Sequence, residues 1–286
     1  MSILPQIILN SIIAGAIYAL VALGFNFIYG ATKFFNLAHG ALATVGGYSI
    51  FFITYTLGWN VYLAVLISVI FAGAVGYGLD KLIFLPLRKR KATNMVLLVA
   101  SLGAFTVIQA TIAILFGTQF RTLTQATPKI YEVFGGAITQ TQLTILISGI
   151  VITSLLILTI NKTLFGKAVK AISDDEEVAR IVGINTDKII GYIFFIGSAI
   201  AGLGGIFVGF DTGIQPTMGL SLLLKGIIAA IVGGIGNIYG ALLGAFLLGF
   251  VENFGIWKIS AEWKDAIAFG LLILFLLFRP RGIIKK

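Results

Sequence analysis

The sequence predicts an all-α polytopic membrane protein of about 8–10 transmembrane helices, and three features predict it. Nine apolar runs lie along 286 residues, most of them near the ~20 residues that span a bilayer. Charged residues are 11% of the chain against 58% apolar. A soluble domain carries about 25% charge, so this chain lacks the polar surface to cover a globule of its size. The 35 glycines suit membrane helices packed with their backbones close together. The absence of cysteine excludes a disulfide scaffold, a cysteine zinc site and a cysteine nucleophile.

The runs follow in order at 7–29, 37–57, 61–83, 95–116, 143–160, 189–210, 220–235, 238–257 and 266–278. No charged leader precedes the first run, which is also too long for a signal-peptide core, so it reads as a retained span. The second run opens with a polar, glycine-bearing stretch, and the seventh and ninth are short. These three are expected as broken or re-entrant segments. Between the runs there is room for loops only, the longest being 117–142 and 161–188, so residues 1–286 read as a single transmembrane domain.

Lysine and arginine set the orientation, because cytoplasmic loops are enriched in them. Arg88-Lys89-Arg90-Lys91 is expected inside. Two spans later Lys162, Lys167, Lys170, Arg180 and Lys188 fall on the same side, and four spans after that so do Arg279, Arg281, Lys285 and Lys286. The opposite loops hold Arg121, Lys129, Lys258 and Lys264. The parity closes if all nine runs cross, with the N-terminus outside and the C-terminus cytoplasmic. The net charge of +9 therefore reads as topology and attraction to an anionic inner leaflet rather than nucleic-acid binding.

The 161–188 loop holds the clearest polar motif. Ser173-Asp174-Asp175-Glu176 fits a capping box, with Ser173 and Glu176 satisfying each other's backbone amides. Acidic residues suit a helix start, and Gly183 suits a left-handed cap at its end. A short helix over 174–182 follows, with Val178, Ala179, Ile181 and Val182 as an apolar stripe. So short a helix is marginal alone, and docking of that stripe on a partner would steady it.

Further candidates lie in the glycine-bearing segments. Asn36, His39 and Gly40 open the second run, with Gly46 and Gly47 further on; Gly233, Gly234 and Gly236 join the seventh run to the eighth. These mark a translocation pathway or broken helices. The lone His39 reads as a hydrogen-bonded structural residue, since nothing beside it completes a metal site. Gly236, Gly240 and Gly244 have the spacing of a close-packing motif. Leu23-Gly24-Phe25 and Ala43-Thr44-Val45-Gly46-Gly47 resemble Val208-Gly209-Phe210 and Ala230-Ile231-Val232-Gly233-Gly234 at offsets of 185 and 187. Five spans between equivalents give the pattern of an inverted repeat, whose interrupted helices frame a transporter's site.

Lys33, Asp211, Lys225 and Glu252 stand in or beside apolar runs, where charge is costly. Lys33, Asp211 and Lys225 lie near run ends and are expected to snorkel or sit in loops. Glu252 lies deeper and is expected to pair with Lys258 or Lys264. There is no phosphate loop, no G-x-S-x-G and no H-E-x-x-H, so neither ATP hydrolysis nor enzyme chemistry by this chain is expected.

Four motifs in order carry a resemblance: Phe35-Asn36-Leu37-Ala38-His39-Gly40, Gly183-Ile184-Asn185-Thr186-Asp187, Gly233-Gly234-Ile235-Gly236 leading into Gly240-Ala241-Leu242-Leu243-Gly244, and Phe278-Arg279-Pro280-Arg281-Gly282. Together they resemble the permease family of branched-chain amino acid ABC transporters, LivH type, over nearly the whole chain. Leu37 departs from the phenylalanine common there, and Asn237 from a small residue. The resemblance implies a permease in the bacterial or archaeal plasma membrane that forms half of a pore with a second, LivM-like permease. Two cytoplasmic ATPase subunits would bind the ATP, and an extracytoplasmic binding protein would deliver substrate. It also implies that the short 174–182 helix is the coupling helix seated in an ATPase groove. Other members carry other amino acids, urea or amides, and a self-sufficient carrier or channel is the rival class.

Overall fold

The computed structural model describes residues 3–123 and 129–284. Lys285 and Lys286 of the expected basic C-terminus lie outside the described residues. Helix α1 (Ile3–Thr32) is followed by α2 (Ala38–Phe51), which runs on through a wide π turn to Thr56. Helix α3 (Val61–Leu79) continues through a second π turn into α4 (Leu85–Lys89). Then come α5 (Asn94–Phe116), a hairpin of β1 (Ile130–Val133) and β2 (Gly136–Thr139), and α6 (Gln140–Lys162). Two short helices, α7 (Leu164–Asp174) and α8 (Glu176–Ile181), precede α9 (Thr186–Asp211), α10 (Met218–Gly233), α11 (Ile238–Gly255) and α12 (Lys264–Phe278).

Among the described residues six helices are long and apolar enough to cross a membrane: α1, α3 with α4, α5, α6, α9 and α11. The remaining three apolar helices, α2, α10 and α12, are the three segments expected to be short or broken. All nine expected runs are thus helical. The helices alternate in direction: Asn26 of α1 meets Asn237 of α11 while Tyr18 meets Glu252, so these two run antiparallel.

Two ends of the bundle are distinct. At one end, Gln6 of α1 bonds to Ala137 of β2, and Gln142 of α6 bonds to Asp211 of α9. This is the hairpin end. At the other, Lys81 and Lys89 reach Asp187, and the chain after α12 pairs with the end of α10 through Ile283 to Val232 and Ile284 to Gly233. This basic end carries α4, α7 and α8.

Helices α1 and α9 form the buried centre, whereas α6 and α12 bury little of themselves within the chain. The packing has internal two-fold character. Helix α1 packs on α11 as α9 packs on α3; α2 packs on α9 as α10 packs on α1; α2 and α3 pair as α10 and α11 do; and α1 meets α9, as α2 meets α10. Exchanging α1, α2 and α3 with α9, α10 and α11 preserves all of these contacts. Helices α1 and α9 run antiparallel, since a β-carbon at Gly24 would run into the Gly197 carbonyl while Gly204 lies beside Val21 and Leu20. The inverted repeat is therefore architectural.

Its register differs from the motif offsets. Thr32 corresponds to Asp211 as helix ends, and Ala38 to Met218 and Val61 to Ile238 as helix starts, a shift about two turns shorter than the motif matches. Short apolar, glycine-rich strings recur by composition, which is why the motif pairing misplaced the equivalence.

Candidate functional site

The polar arm at the basic end is built from α7 and α8. Thr163 caps α7, its Oγ1 accepting from the Gly166 amide at 3.0 Å. The apolar Val169 and Ile172 are buried, and lysines 167 and 170 line other faces of the helix. The sequence reading missed α7, although Phe165, Val169 and Ile172 already show helical spacing. Because α7 continues through Asp174, the expected capping box at Ser173 does not form. Asp175 takes the cap instead: its Oδ1 accepts from the Glu177 and Val178 amides at 2.8 and 3.0 Å. Glu176 instead pairs with Arg180 at 2.9 Å, one turn on.

The end of α8 is as expected. Gly183 has φ +90°, its amide bonds to the Arg180 carbonyl, and the Ile184 amide bonds to the Ala179 carbonyl. This double bond pattern closes a helix only with a left-handed residue after the cap, where glycine carries no steric penalty. The apolar stripe divides. Ala179 is buried inside the chain, whereas Val178, Ile181 and Val182 are 54, 83 and 69% exposed. The face offered outward is thus Val178, Ile181 and Val182, and Ala179 belongs to the seat of the arm, contrary to the expected four-residue stripe.

Arg180 and Asp187 tie the arm to the bundle. Arg180 donates to Thr186 Oγ1 at 3.1 Å and faces Asp187 at 3.9 Å. Lys89 reaches Asp187 Oδ2 at 3.5 Å, and Lys81 Nζ donates to the Asp187 carbonyl at 2.6 Å. The buried Asp80 holds Arg88 at 2.7 Å. The sequence reading overlooked Asp80, although it falls inside the apolar run 61–83, where a lone acid eight residues before Arg88 is the signal that could have found it.

The glycine-bearing segments meet inside the bundle. After Lys33 the chain turns inward, and the Leu37 amide donates to Ser101 Oγ at 3.0 Å. Ser101 lies seven residues into α5, about 10 Å from that helix's start. Asn36 Oδ1 accepts from the Ala38 amide at the opening of α2. His39 is fully buried, with Nε2 3.3 Å from the Val21 carbonyl oxygen, a hydrogen-bonded place in the core. Gly40 abuts Gly219 backbone to backbone where α2 crosses α10, and Gly46 abuts Gly202 on α9; Gly47 lies over Met218. Gly233 packs on Gly240 of α11.

Gly234, at φ +118°, lies against Arg281, Gly282 and Ile284 of the returning C-terminal segment, so two of the four sequence motifs touch. Gly236, at φ +81°, lies in the turn beside Gly30 rather than on a helix, which removes it from the expected close-packing triplet; Gly240 and Gly244 keep that role against α10. Asn237 caps α11 through the Tyr239 and Gly240 amides, and its carbonyl accepts from Asn26. Alanine or glycine there would leave both amides without a side-chain acceptor.

Toward the hairpin end the buried charges gather. Glu252 is fully buried and accepts from the Tyr18 hydroxyl at 2.6 Å. Lys225 and Lys264 stand 3.5 and 3.6 Å from its carboxylate oxygens, and Lys225 also pairs with Asp265 at 3.2 Å. Lys264 was expected here. Lys258 instead lies over the Trp257 ring, and Lys225 is mostly buried in this pairing rather than snorkelling. Asp211 accepts from Gln142.

A family model described as the branched-chain amino acid transport system permease component matches residues 7–276. The chain is 33% identical over 297 residues to the high-affinity branched-chain amino acid transport system permease protein BraD of Pseudomonas aeruginosa, covering 98% of this chain and 95% of that protein. It is 31% identical over 299 residues to the corresponding LivH of Escherichia coli K12, with the same coverage. Among solved structures, PsaBC from Streptococcus pneumoniae in complex with Fab superposes with a TM-score of 0.53 at 12% identity, over 98% of this chain and 93% of that one. At that identity the likeness speaks for the fold alone.

Proposed function

The chain belongs to the family of branched-chain amino acid transport permease components, and from that membership we propose how it works within an importer. The nearly full-length family match carries the reading. A second permease of the LivM type would complete the pore, two ATPase subunits would supply ATP hydrolysis at the basic end, and a binding protein would deliver a branched-chain amino acid at the hairpin end. ATP is then bound by the partners, in keeping with a chain that has no phosphate loop.

Helix α8 suits the coupling role. Val178, Ile181 and Val182 are exposed on an arm seated by Ala179, so an ATPase groove would bury apolar surface at little cost in ordering. Four residues separate α8 from α9, the helix packed on α1, α2 and α3. Displacement of α8 would reach the centre of the bundle through that link and reach α3 through the contacts of Asp187 with Lys81 and Lys89. The short helices α2 and α10, crossing at Gly40 and Gly219, are then the elements whose relative tilt would alternate access.

Two measurements test this reading. Uptake of labelled leucine by cells expressing the full set of subunits should be competed by isoleucine and valine but not by urea; competition by urea alone would assign another substrate. For orientation, the basic end should face the cytoplasm, as the bias of Lys and Arg requires. With no native cysteine, Asp174→Cys should resist an impermeant maleimide in intact cells and react after permeabilisation. Labelling in intact cells would invert the topology.

A further inference from the structure

The coupling reading leaves unused a cavity at the hairpin end, the end opposite α8. Its volume is about 460 Å³, within the roughly 300–1,000 Å³ of small-molecule sites. Its walls are of two kinds. Ile13 and Ile17 of α1 with Met218 and Leu222 of α10 make an apolar side, and Lys225, Lys264 and Asp211 bring charges of both signs. The lysines are anchored on the buried Glu252, yet loosely: Lys264 Nζ stands 3.6 Å from Oε2, beyond hydrogen-bond range, and Glu252 Oε1 accepts no hydrogen bond among the described residues. Lys225 is engaged by the Tyr18 hydroxyl at 3.3 Å, Asp265 and Glu252, whereas the ammonium of Lys264, with three donors, keeps donors for an anionic group in the cavity. Asp211, held by Gln142 through Oδ1, is a carboxylate on the α9 wall.

We propose that this cavity is an amino-acid site within the single permease chain, and the proposal rests on the amino-acid import reading above. The ligand's carboxylate takes the donors of Lys264, beside the positive charge of Lys225, its ammonium pairs with Asp211, and its aliphatic side chain lies on Ile13, Ile17, Met218 and Leu222. A simple anion would face the Asp211 carboxylate with like charge, and an uncharged apolar solute would use neither Lys264 nor Asp211. A zwitterion with an aliphatic side chain satisfies both walls.

The test uses the assembled transporter in nanodiscs, without binding protein or ATP. Ser221, which lines the cavity, is replaced by cysteine, and its rate of modification by a small thiol reagent is read by peptide mass spectrometry. Leucine should slow modification saturably. Lys264→Gln should raise the half-protecting concentration about tenfold, the effect of losing one charge-assisted hydrogen bond. Asp211→Asn, at a helix end, should do the same and serves if the first variant fails to assemble. No protection by leucine, or protection unchanged in the variants, overturns the site. Protection by glycerophosphoethanolamine but not leucine assigns the cavity to a lipid headgroup and overturns it too. Binding-protein-dependent leucine uptake is measured in parallel with Ser221 intact: uptake without protection overturns the site alone, and absent uptake overturns the import reading.

Discussion

Ile181→Asp should release the ATPase subunits or leave their hydrolysis unresponsive to substrate, while the permease itself stays folded. Ile181 is 83% exposed, so a carboxylate there meets water in the isolated chain and costs it little. In a closed apolar groove the same carboxylate is buried without a partner, costing about 3 kcal/mol or more, a loss of roughly a hundredfold in docking. Glu177→Gln, on the same short helix, should couple normally. Ala179→Asp should behave differently from both: Ala179 is buried in the chain, so that variant should lose the arm, and with it accumulation of the protein. The measurement is co-purification of the ATPase with each variant and substrate-stimulated hydrolysis. Normal coupling in Ile181→Asp would move the docking surface elsewhere.

Gly233→Leu should prevent accumulation of the folded chain. A β-carbon at Gly233 would run into the carbonyl of Gly240 and the backbone around it. Backbone cannot rotate away as a side chain can, so α10 and α11 must separate, and the contacts of Gly244 with Ala229 go with them. Overpacking of this kind costs about 1–3 kcal/mol and sometimes more, and this site also anchors the returning C-terminal segment through Ile284. Gly103→Leu is the control, because nothing lies within 4 Å of a β-carbon there; it should accumulate like the parent chain. Yields of intact protein in the membrane fraction decide it, and equal yields for the two variants would contradict the close packing of α10 on α11.

The transmembrane helices were legible because each needs a long apolar run, and length is a property of the sequence alone. The two short runs were equally legible as unusual, since 16 residues in α10 and 15 in α12 fall below a full crossing, and the second run was so by its polar, glycine-bearing opening. The amphipathic α7 was overlooked rather than hidden: Phe165, Val169 and Ile172 recur at helical spacing opposite Lys167 and Lys170, but the run is too short and too charged to stand out as a membrane span. The start of α8 was misplaced as a consequence: Ser173 and Asp175 both suit a cap, and only the continuation of α7 through Asp174 decides between them. Pairing at a distance is the least legible of all. Lys225 and Glu252 stand 27 residues apart on successive helices, and no local pattern distinguishes a lysine that pairs inward from one that reaches the interface. The inverted repeat lies between these cases: its parity could be counted, but its register required the packing.

The central claim is that this chain moves its substrate only as part of a pumped assembly. Labelled leucine uptake into proteoliposomes tests it, comparing this chain alone with this chain reconstituted with its second permease, ATPases and binding protein, each with and without ATP. Uptake only in the complete assembly, and only with ATP, is the predicted result. Leucine flux through the chain alone would contradict it and make the protein a self-sufficient carrier or channel.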